Sequence, residues 1–158
     1  MTVHPIDPVY NESSRVLILG SFPSVKSRKE GFFYGHPQNR FWKVIAAVYH
    51  ADTPKTIEEK RSFLLEHRIA LWDVIASCEI KGSSDSSISN VVTNDLTDIL
   101  KAAPIEKIFV NGKAAQKYYE AYAKNKIERE AMYLPSTSPA NAAWSLDRLV
   151  EAWSVIRY

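Results

Sequence analysis

The residues most able to do chemistry in this chain are concentrated in one run, "GFFYGHPQNRFWKVI", at positions 31–45. The rings of Phe32, Phe33 and Tyr34 can stack on a flat ligand, and Asn39 supplies both an amide donor and a carbonyl acceptor. Nucleobases are flat rings with polar edges, and this combination of groups suits them. The run therefore predicts a binding site for a heteroaromatic ring.

Other members of the run have simpler explanations. Phe41 and Trp42 share a helical spacing with the apolar residues that follow, so we expect both in the hydrophobic core. One of the two phenylalanines before Tyr34 is expected to pack inward as well. We interpret His36 as a local hydrogen-bonding residue rather than a catalyst. Arg40 is either a phosphate contact or a solvated side chain, and the sequence leaves both alternatives open.

A second candidate segment, "STSPAN" at 136–141, is rich in small residues and hydroxyl groups. Small side chains let the backbone approach a ligand closely, and hydroxyls and amides donate hydrogen bonds to phosphates. The segment directly precedes the last predicted helix, whose free N–H groups favour anions. Composition alone favours a plain loop with a helix cap.

Two further segments carry weaker signals. "GSFPS" at 20–24 is typical of many turns between a strand and a loop. "KGSSDSSIS" at 81–89 is either a flexible phosphate-binding lid, with Lys81 as its charge, or a solvated loop without packing residues. The solvated loop is the preferred interpretation. Asp85 is the only carboxylate of this segment, and we do not expect it to act as a base.

The pattern of apolar residues predicts the elements that position these segments. The predicted strands are 15–20, 69–75, 105–112 and 131–134, and the predicted helices are 39–50, 56–68, 93–102, 113–124 and 144–156. Strands alternate with helices, which predicts a three-layer α/β/α sandwich with a central, mostly parallel four-stranded sheet. Ligands in such folds bind beyond the carboxyl ends of the strands. The loops 20–40, 76–90 and 135–143 are therefore the candidate functional loops.

Composition sets limits on the class of protein. The 158 residues suit a single domain over 1–158, and 46% hydrophobic residues can form a real core. A net charge of +2 neither requires nor opposes a nucleic-acid partner. The single cysteine, Cys78, fits a reducing cytoplasm, and no apolar run or signal-peptide pattern points to a membrane. One cysteine and four scattered histidines do not form a zinc-ligand pattern.

Taken together, "GSFPSVKSRKEGFFYGHPQNRFW" and "LPSTSPAN" resemble the hypoxanthine-DNA glycosylase (DNA-deoxyinosine glycosylase) branch of the uracil-DNA glycosylase superfamily. The resemblance extends from Arg15 to the final helix, and "HPQNRFWKVI" is also similar to the matching stretch of mismatch-specific uracil-DNA glycosylases. It implies an α/β/α fold, in agreement with the layers inferred above. It also implies an enzyme that acts on DNA containing deaminated bases.

Two positions depart from the better-known branches of that superfamily. Many members carry an Asp or Asn that positions the attacking water where this chain has Phe22, whose ring cannot polarise water. The second motif often begins with a His that supports the leaving base, where this chain has Ser136. Similarity to the hypoxanthine branch assigns the catalytic amide to Asn39, and similarity to the mismatch-specific relatives assigns the stacking ring to Tyr34.

The resemblance implies that the target base is flipped out of the DNA and that its N-glycosidic bond is hydrolysed through an oxocarbenium-like state. Tyr34, with Phe22 as a second ring, is expected to sandwich the base. The backbone around Gly20, Ser21 and Phe22 is expected to donate hydrogen bonds to it. Asn39 orients water or hydrogen-bonds the base edge, because an amide has no pKa that would make it a general base.

The remaining implied contacts are with the DNA backbone. Residues expected to contact DNA are Ser136, Thr137 and Ser138 at the phosphates, Asn141 and its neighbours as a wedge, and Arg40 and Lys81. No step needs a metal or an organic cofactor, so none is expected. The candidate loops offer no obvious lysine nucleophile, which indicates a monofunctional enzyme without strand cleavage. We expect a monomer, because duplex DNA must reach the open end of the sheet.

Three alternatives remain open from the sequence. The first is a uracil or G·U/G·T mismatch glycosylase, since uracil and hypoxanthine share a carbonyl-and-imide edge. The second is a non-catalytic binder of damaged or single-stranded DNA with the same fold, because fold alone does not establish chemistry. The third is a hydrolase of free nucleotides.

Overall fold

The computed structural model describes residues 1–157, and its central element is a four-stranded sheet. The strands are β1 (Thr2–Val3), β2 (Val16–Gly20), β3 (Ile69–Asp73), β4 (Ile75–Glu79), β5 (Ser89–Thr93), β6 (Lys107–Asn111) and β7 (Met132–Leu134). The helices are α1 (Val25–Glu30), α2 (Phe41–Val48), α3 (Ile57–Glu66), α4 (Thr97–Ala102), α5 (Lys113–Tyr118), α6 (Lys124–Ile127) and α7 (Leu146–Trp153). A π-helical turn at Tyr119–Ala123 joins α5 to α6, and 3₁₀ turns lie at Asp85–Ser87 and Ser154–Ile156.

The central sheet has the strand order β3-β2-β6-β7, and every neighbouring pair is parallel. All residues of β2 are buried, because the strand has a neighbour on each side and helices over both faces. The predicted three-layer α/β/α fold with a four-stranded parallel sheet is therefore confirmed. Its carboxyl-terminal edge brings together the ends of β2, β3 and β6.

Alternate residues of β2 point into two separate cores. Ile18 packs in the core that contains Phe41 and Trp153 from α2 and α7. Leu17 and Leu19 pack in the opposite core, which holds the α4 and α5 side chains. Each fully buried side chain of this size contributes roughly 1.5–3 kcal/mol relative to an exposed one. The two cores hold the sheet rigidly between the helical layers, and so fix the positions of its strand ends.

A second sheet was not predicted from the sequence. β1, β4 and β5 form a three-stranded sheet in which β4 pairs antiparallel with both neighbours. The single strand predicted over 69–75 is therefore wrong at its end, since the chain leaves the central sheet after Asp73 and enters the second sheet at Ile75. The partner strand β1 comes from the first residues of the chain, so no local pattern could reveal this pairing.

Two other boundaries differ from the sequence prediction for local reasons. The loop predicted over 20–40 contains α1, which is capped by the Ser24 hydroxyl and ends at Gly31 with a φ of 74°. The helix predicted over 93–102 begins at Thr97, because the residues up to Thr93 extend β5. Among residues 1–157, no helix combines the length and the apolar character needed to cross a membrane.

Candidate functional site

A cavity of about 290 Å³ opens at the carboxyl ends of the central strands. Its lining includes Gly20, Asp73 and Asn111, the last residues of β2, β3 and β6, and we call these three residues the floor. Its exposed margin contains Asp85, Pro139 and Ala140, which we call the rim. Parallel α/β sheets place their ligands at this edge, so the cavity lies where the fold predicts it.

The cavity brings together most of the residues that the sequence nominated. Those in its lining are Gly20, Ser21, Phe22, Tyr34, Asn39, Ser136, Thr137 and Ser138. Arg40, Lys81 and Asn141 are not part of the lining. Polar residues of the lining that sequence reasoning did not nominate are His36, Asp73, Asn111, Asp85, Ser24, Ser27 and Ser83.

Asn39 has its carbonyl oxygen engaged by the protein. Oδ1 accepts hydrogen bonds from the Phe41 backbone N–H at 2.9 Å and from the Thr137 hydroxyl at 2.9 Å. These two donors fill both lone pairs of the oxygen and fix the amide so that its NH₂ group is the part available to the cavity. His36 makes the local contact expected of it, since its Nδ1 accepts the Gln38 backbone N–H at 3.1 Å.

Thr137 links Asn39 to the floor. Its backbone N–H donates to Asn111 Oδ1 at 3.2 Å, and its hydroxyl accepts from Asn111 Nδ2 at 3.1 Å. The side chain is completely buried, so this hydroxyl is committed to the two amides. A phosphate contact by the Thr137 side chain would require this network to open, and the arrangement indicates a positioning role.

Tyr34 presents a ring that is already covered on one face. It stacks on Phe41 with ring centroids 4.1 Å apart, and its hydroxyl accepts a hydrogen bond from Asn111 Nδ2 at 3.2 Å. Only the opposite face and the edge are therefore open to a ligand. Tyr34 has a φ of 52°, an uncommon backbone conformation for a tyrosine that is found more often at functional sites. Burial, followed by the charge of Asp73, raises the pKa of its hydroxyl.

A buried pair of His4 and Asp73 supports the floor. His4 Nε2 donates to Asp73 Oδ2 at 2.8 Å, and the two side chains are 3% and 5% exposed. His4 Nδ1 accepts the Ile6 backbone N–H at 3.2 Å, which leaves Nε2 as the donor to Asp73. The other oxygen of Asp73 lies beside Gly20. A side chain at position 20 would place its Cβ 2.4 Å from that oxygen and 2.8 Å from the Tyr34 hydroxyl, so glycine is required there.

Phe22 lies between the cavity and the His4 ring. The two rings meet edge to face with centroids 5.9 Å apart, and the Arg28 guanidinium lies 5.5 Å from the Phe22 centroid. Phe22 is 9% exposed, which leaves only part of its ring available to a ligand. Its position on the cavity wall is compatible with a contact to a flat ring.

Residues 81–86 are exposed to solvent, as the sequence indicated, but Ser83 and Asp85 of this segment also form a wall of the cavity. Arg28 donates to the Gly82 carbonyl at 2.7 Å, and the Val25 backbone N–H donates to the Ser83 hydroxyl at 2.9 Å. Ile88 is buried in the core, so the absence of packing residues was a wrong expectation. Lys81 is exposed and lies outside the cavity lining, and its contact with DNA stays a prediction.

Asp85 stands on this wall at the rim. Its Oδ1 accepts a hydrogen bond from the Ser21 hydroxyl at 3.3 Å. Partial burial raises the pKa of the Asp85 carboxyl, the Ser21 hydrogen bond lowers it, and the charge of Asp73 raises it further. The residue therefore combines exposure to solvent with a carboxylate that is a better base than an ordinary aspartate.

Arg40 stabilises the loop 135–143 through hydrogen bonds to its backbone carbonyls. Its guanidinium donates to the backbone carbonyls of Ser138, Asn141 and Trp144. The Arg40 side chain is therefore neither solvated nor free to bind a phosphate in this arrangement. The DNA contact expected of Arg40 stays a prediction. Asn141 donates from Nδ2 to the Ser136 carbonyl at 3.0 Å, so in this structure its amide braces the loop.

The sequence pattern described as the Uracil DNA glycosylase superfamily matches residues 8–157. A Methanosarcina acetivorans protein named hypoxanthine DNA glycosylase is 34% identical over 152 residues, which cover 95% of this chain and 95% of that protein. A Methanosarcina barkeri protein of the same name is 31% identical over 113 residues, covering 70% and 72% of the two chains. The solution NMR structure of a candidate uracil DNA glycosylase from Methanosarcina acetivorans matches with a TM-score of 0.81 at 33% identity, covering 96% of this chain and 94% of that one.

Proposed function

Because the chain belongs to the uracil DNA glycosylase superfamily, we propose that it is a monofunctional DNA glycosylase that removes deaminated bases, hypoxanthine first among them. The observation that carries the proposal is the Asn39 amide, whose carbonyl is engaged by Phe41 and Thr137 and whose NH₂ group is available to a cavity lined by Tyr34. Two relatives named hypoxanthine DNA glycosylase, at 34% and 31% identity, support the choice of base.

The cavity suits a base that has left the duplex. Flipping costs a few kcal/mol, and a mismatched deaminated base costs less than a normal pair. Inside the cavity, the open face of Tyr34 and the exposed part of Phe22 offer stacking surfaces. The backbone of Gly20, Ser21 and Phe22 lines the same space and can donate hydrogen bonds to the base.

The floor carboxylate explains how a deaminated base is distinguished from its parent. The base remains attached to the DNA through its glycosidic bond, so the opposite edge of the base enters the cavity first and meets the floor. Hypoxanthine carries an N1–H donor where adenine carries a lone pair, and Asp73 can only accept while it is ionised. Its Oδ1 has no contact with His4 and can take that N–H, whereas the adenine lone pair would face a like charge.

Asn39 acts on the departing base by donating a hydrogen bond. Cleavage of the N-glycosidic bond leaves negative charge on the base, and the Asn39 NH₂ group stabilises it as it develops. Since Oδ1 already accepts two hydrogen bonds, the amide is better placed to donate than to accept a proton from water. A preorganised amide of this kind contributes about 3–4 kcal/mol to the transition state.

The loops around the cavity carry the contacts with DNA. Ser136 and Ser138 line the cavity beside the exposed Pro139 and Ala140, where the phosphates on either side of the flipped nucleotide pass. Asn141 with its exposed neighbour Ala142 enters the space that the nucleotide leaves. Lys81 and Arg40 complete the DNA-binding surface. The enzyme works as a monomer in the cytoplasm and needs neither a metal nor an organic cofactor.

An excision assay tests the proposal. Labelled oligonucleotides with one hypoxanthine, uracil or xanthine are incubated with the protein and then treated with alkali, which cuts the chain at abasic sites. Hypoxanthine release above uracil release is the expected result. Faster uracil release would leave the class of enzyme standing and overturn the choice of base. Binding without release of any base would instead identify a non-catalytic DNA binder.

The variant Asn39→Ala tests the role of the amide. Excision is expected to fall about 10²–10³-fold while DNA affinity stays close to that of the wild type. Asn125→Ala changes an exposed asparagine on α6 that is not part of the cavity lining, and is the matched control. Unchanged excision by Asn39→Ala would remove Asn39 from the mechanism.

A further inference from the structure

The cavity wall leaves one step of hydrolysis without a group to perform it. As the glycosidic bond breaks, positive charge builds on the deoxyribose, and a water molecule must lose a proton as it attacks C1′. Asn39 has no basic atom free for this, and the Phe22 ring cannot polarise water. An acceptor for the proton therefore has to come from elsewhere in the lining, where His36 already uses Nδ1 to accept the Gln38 backbone N–H.

Among residues 1–157, the lining of the cavity contains two carboxylates, Asp73 and Asp85. Asp73 is 3% exposed, at the floor, with one oxygen held by His4. A group at the floor meets the far edge of the base, which is separated from the sugar by the width of the base itself. Asp73 is therefore badly placed for chemistry at C1′.

Asp85 has the opposite placement. It lies on the exposed rim, where the sugar of a flipped nucleotide stays while the base enters the cavity. Its Oδ1 is held by the Ser21 hydroxyl at 3.3 Å, which sets the direction of the carboxylate. The wall that carries it is fixed to α1 by the hydrogen bonds of Arg28 to Gly82 and of Val25 to Ser83. The carboxylate is thus positioned and yet reachable by water.

We infer that Asp85 is a catalytic residue that accepts the proton of the attacking water and stabilises the positive charge on the deoxyribose. This inference rests on the proposed glycosylase function. The water oxygen forms its bond to C1′ while the bond from C1′ to the base nitrogen breaks and its electron pair leaves with the base. Asp85 takes one water proton and returns it to solvent, and the departing base takes a proton from solvent.

The surroundings of Asp85 tune it for this role. Partial burial raises the pKa of its carboxyl, and the charge of Asp73 across the cavity acts in the same direction. A raised pKa brings a general base closer to neutral pH, where proton transfer is most effective. The titratable groups whose charges interact with it are Asp73, Tyr34 and Tyr118. His36 lines the same cavity, and Arg28 and Lys81 are the cations on the adjoining segments.

The test is the single-turnover excision rate of Asp85→Asn on an oligonucleotide with one hypoxanthine. Asparagine keeps an acceptor for Ser21 but cannot take a proton, so the rate is expected to fall about 100-fold with little change in DNA affinity. The acid limb of the rate–pH profile is expected to disappear. Asp85→Glu keeps the carboxylate and is expected to recover part of the rate, which a purely structural role would not allow. Asp52→Asn, at an exposed aspartate outside the cavity, is the control.

The outcomes separate this inference from the function on which it rests. Wild-type rates for Asp85→Asn, with Asn39→Ala inactive, would overturn the role of Asp85 and leave the glycosylase standing. A wild-type protein that releases no base from any oligonucleotide would overturn both. A pH profile of Asp85→Asn with the acid limb retained would assign that limb, and the proton, to another group.

Discussion

The floor and the rim of the cavity each contain a carboxylate, and the fold treats the two in opposite ways. Asp73 ends a strand of the central sheet, is 3% exposed, and is held by the His4 ring. Asp85 stands on an exposed 3₁₀ turn and is held by one hydroxyl. A buried carboxylate with a fixed direction is suited to selecting a hydrogen-bond donor. An accessible one is suited to exchanging protons with water.

The floor and the rim should also differ in how substitutions affect folding stability and activity. The floor residue Asn111 belongs to a connected set of side chains, because it bonds both Tyr34 and Thr137, and Thr137 bonds Asn39. Networks of this kind are stable only while every member is satisfied. The rim is held mainly by bonds to backbone groups, such as those of Arg40 to the loop carbonyls. Changes at the floor should therefore affect folding and activity together, and changes at the rim should affect activity alone.

Among changes at the floor, Gly20→Ala should have the largest effect on activity. The new Cβ would lie 2.4 Å from Asp73 Oδ1 and 2.8 Å from the Tyr34 hydroxyl, so both side chains must move. A displacement of about 1 Å in such groups can cost about 100-fold in rate, and we expect at least this loss in a hypoxanthine excision assay. An active Gly20→Ala enzyme would show that the floor tolerates rearrangement and that its geometry is not critical.

His4→Ala should have the largest effect on stability. It leaves the buried Asp73 carboxylate without its donor, which costs roughly 2–3 kcal/mol. Chemical denaturation of the wild type and the variant measures the difference directly. His4→Gln, which can still donate a hydrogen bond, is the matched control and should recover part of the loss. Equal stability of all three proteins would contradict the contrast between floor and rim.

Thr137→Val should have an intermediate effect on both quantities. The buried hydroxyl that joins Asn39 to Asn111 is lost without a change in shape, which leaves two amides short of one partner each. We expect a loss of about 1–3 kcal/mol in unfolding free energy and a slower excision rate at unchanged DNA affinity. Thr137→Ser retains the hydroxyl and should behave more like the wild type in both measurements.

Asp85→Asn should have the smallest effect on stability. Whereas the variants above destabilise the protein, this one should leave its stability unchanged or raise it slightly. Because the folded-state pKa of Asp85 is raised, the folded protein binds its proton more tightly than the unfolded chain does. The contribution of Asp85 to stability therefore declines as the pH rises from its unfolded pKa through its higher folded pKa. Above that window, the asparagine variant should melt at the same temperature as the wild type or slightly higher. A clear loss of stability at neutral pH would indicate a structural role instead.

The sequence predicted the stacking ring and the amide but not the floor beneath them. Tyr34 and Asn39 lie close together in one run, so a local pattern was enough to nominate both. Asp73 did carry a signal, since it is the one charged residue in the otherwise apolar run 69–75. His4 carried none, because its partner is 69 residues away and only the second sheet brings the two together.

What the sequence determined by itself is the alternation of apolar strands and helices, and through it the parallel sheet and the edge at which the cavity opens. These features follow from local periodicity, which can be seen in any stretch of the chain. The tertiary structure alone decided the direction of each polar group. Thr137 binds the Asn39 carbonyl, and Arg40 points toward the loop carbonyls. Asp73 is buried, while Asp85 stays at the rim. Those directions depend on hydrogen bonds between residues about 100 positions apart, as between Asn39 and Thr137, and only folding brings such partners within reach.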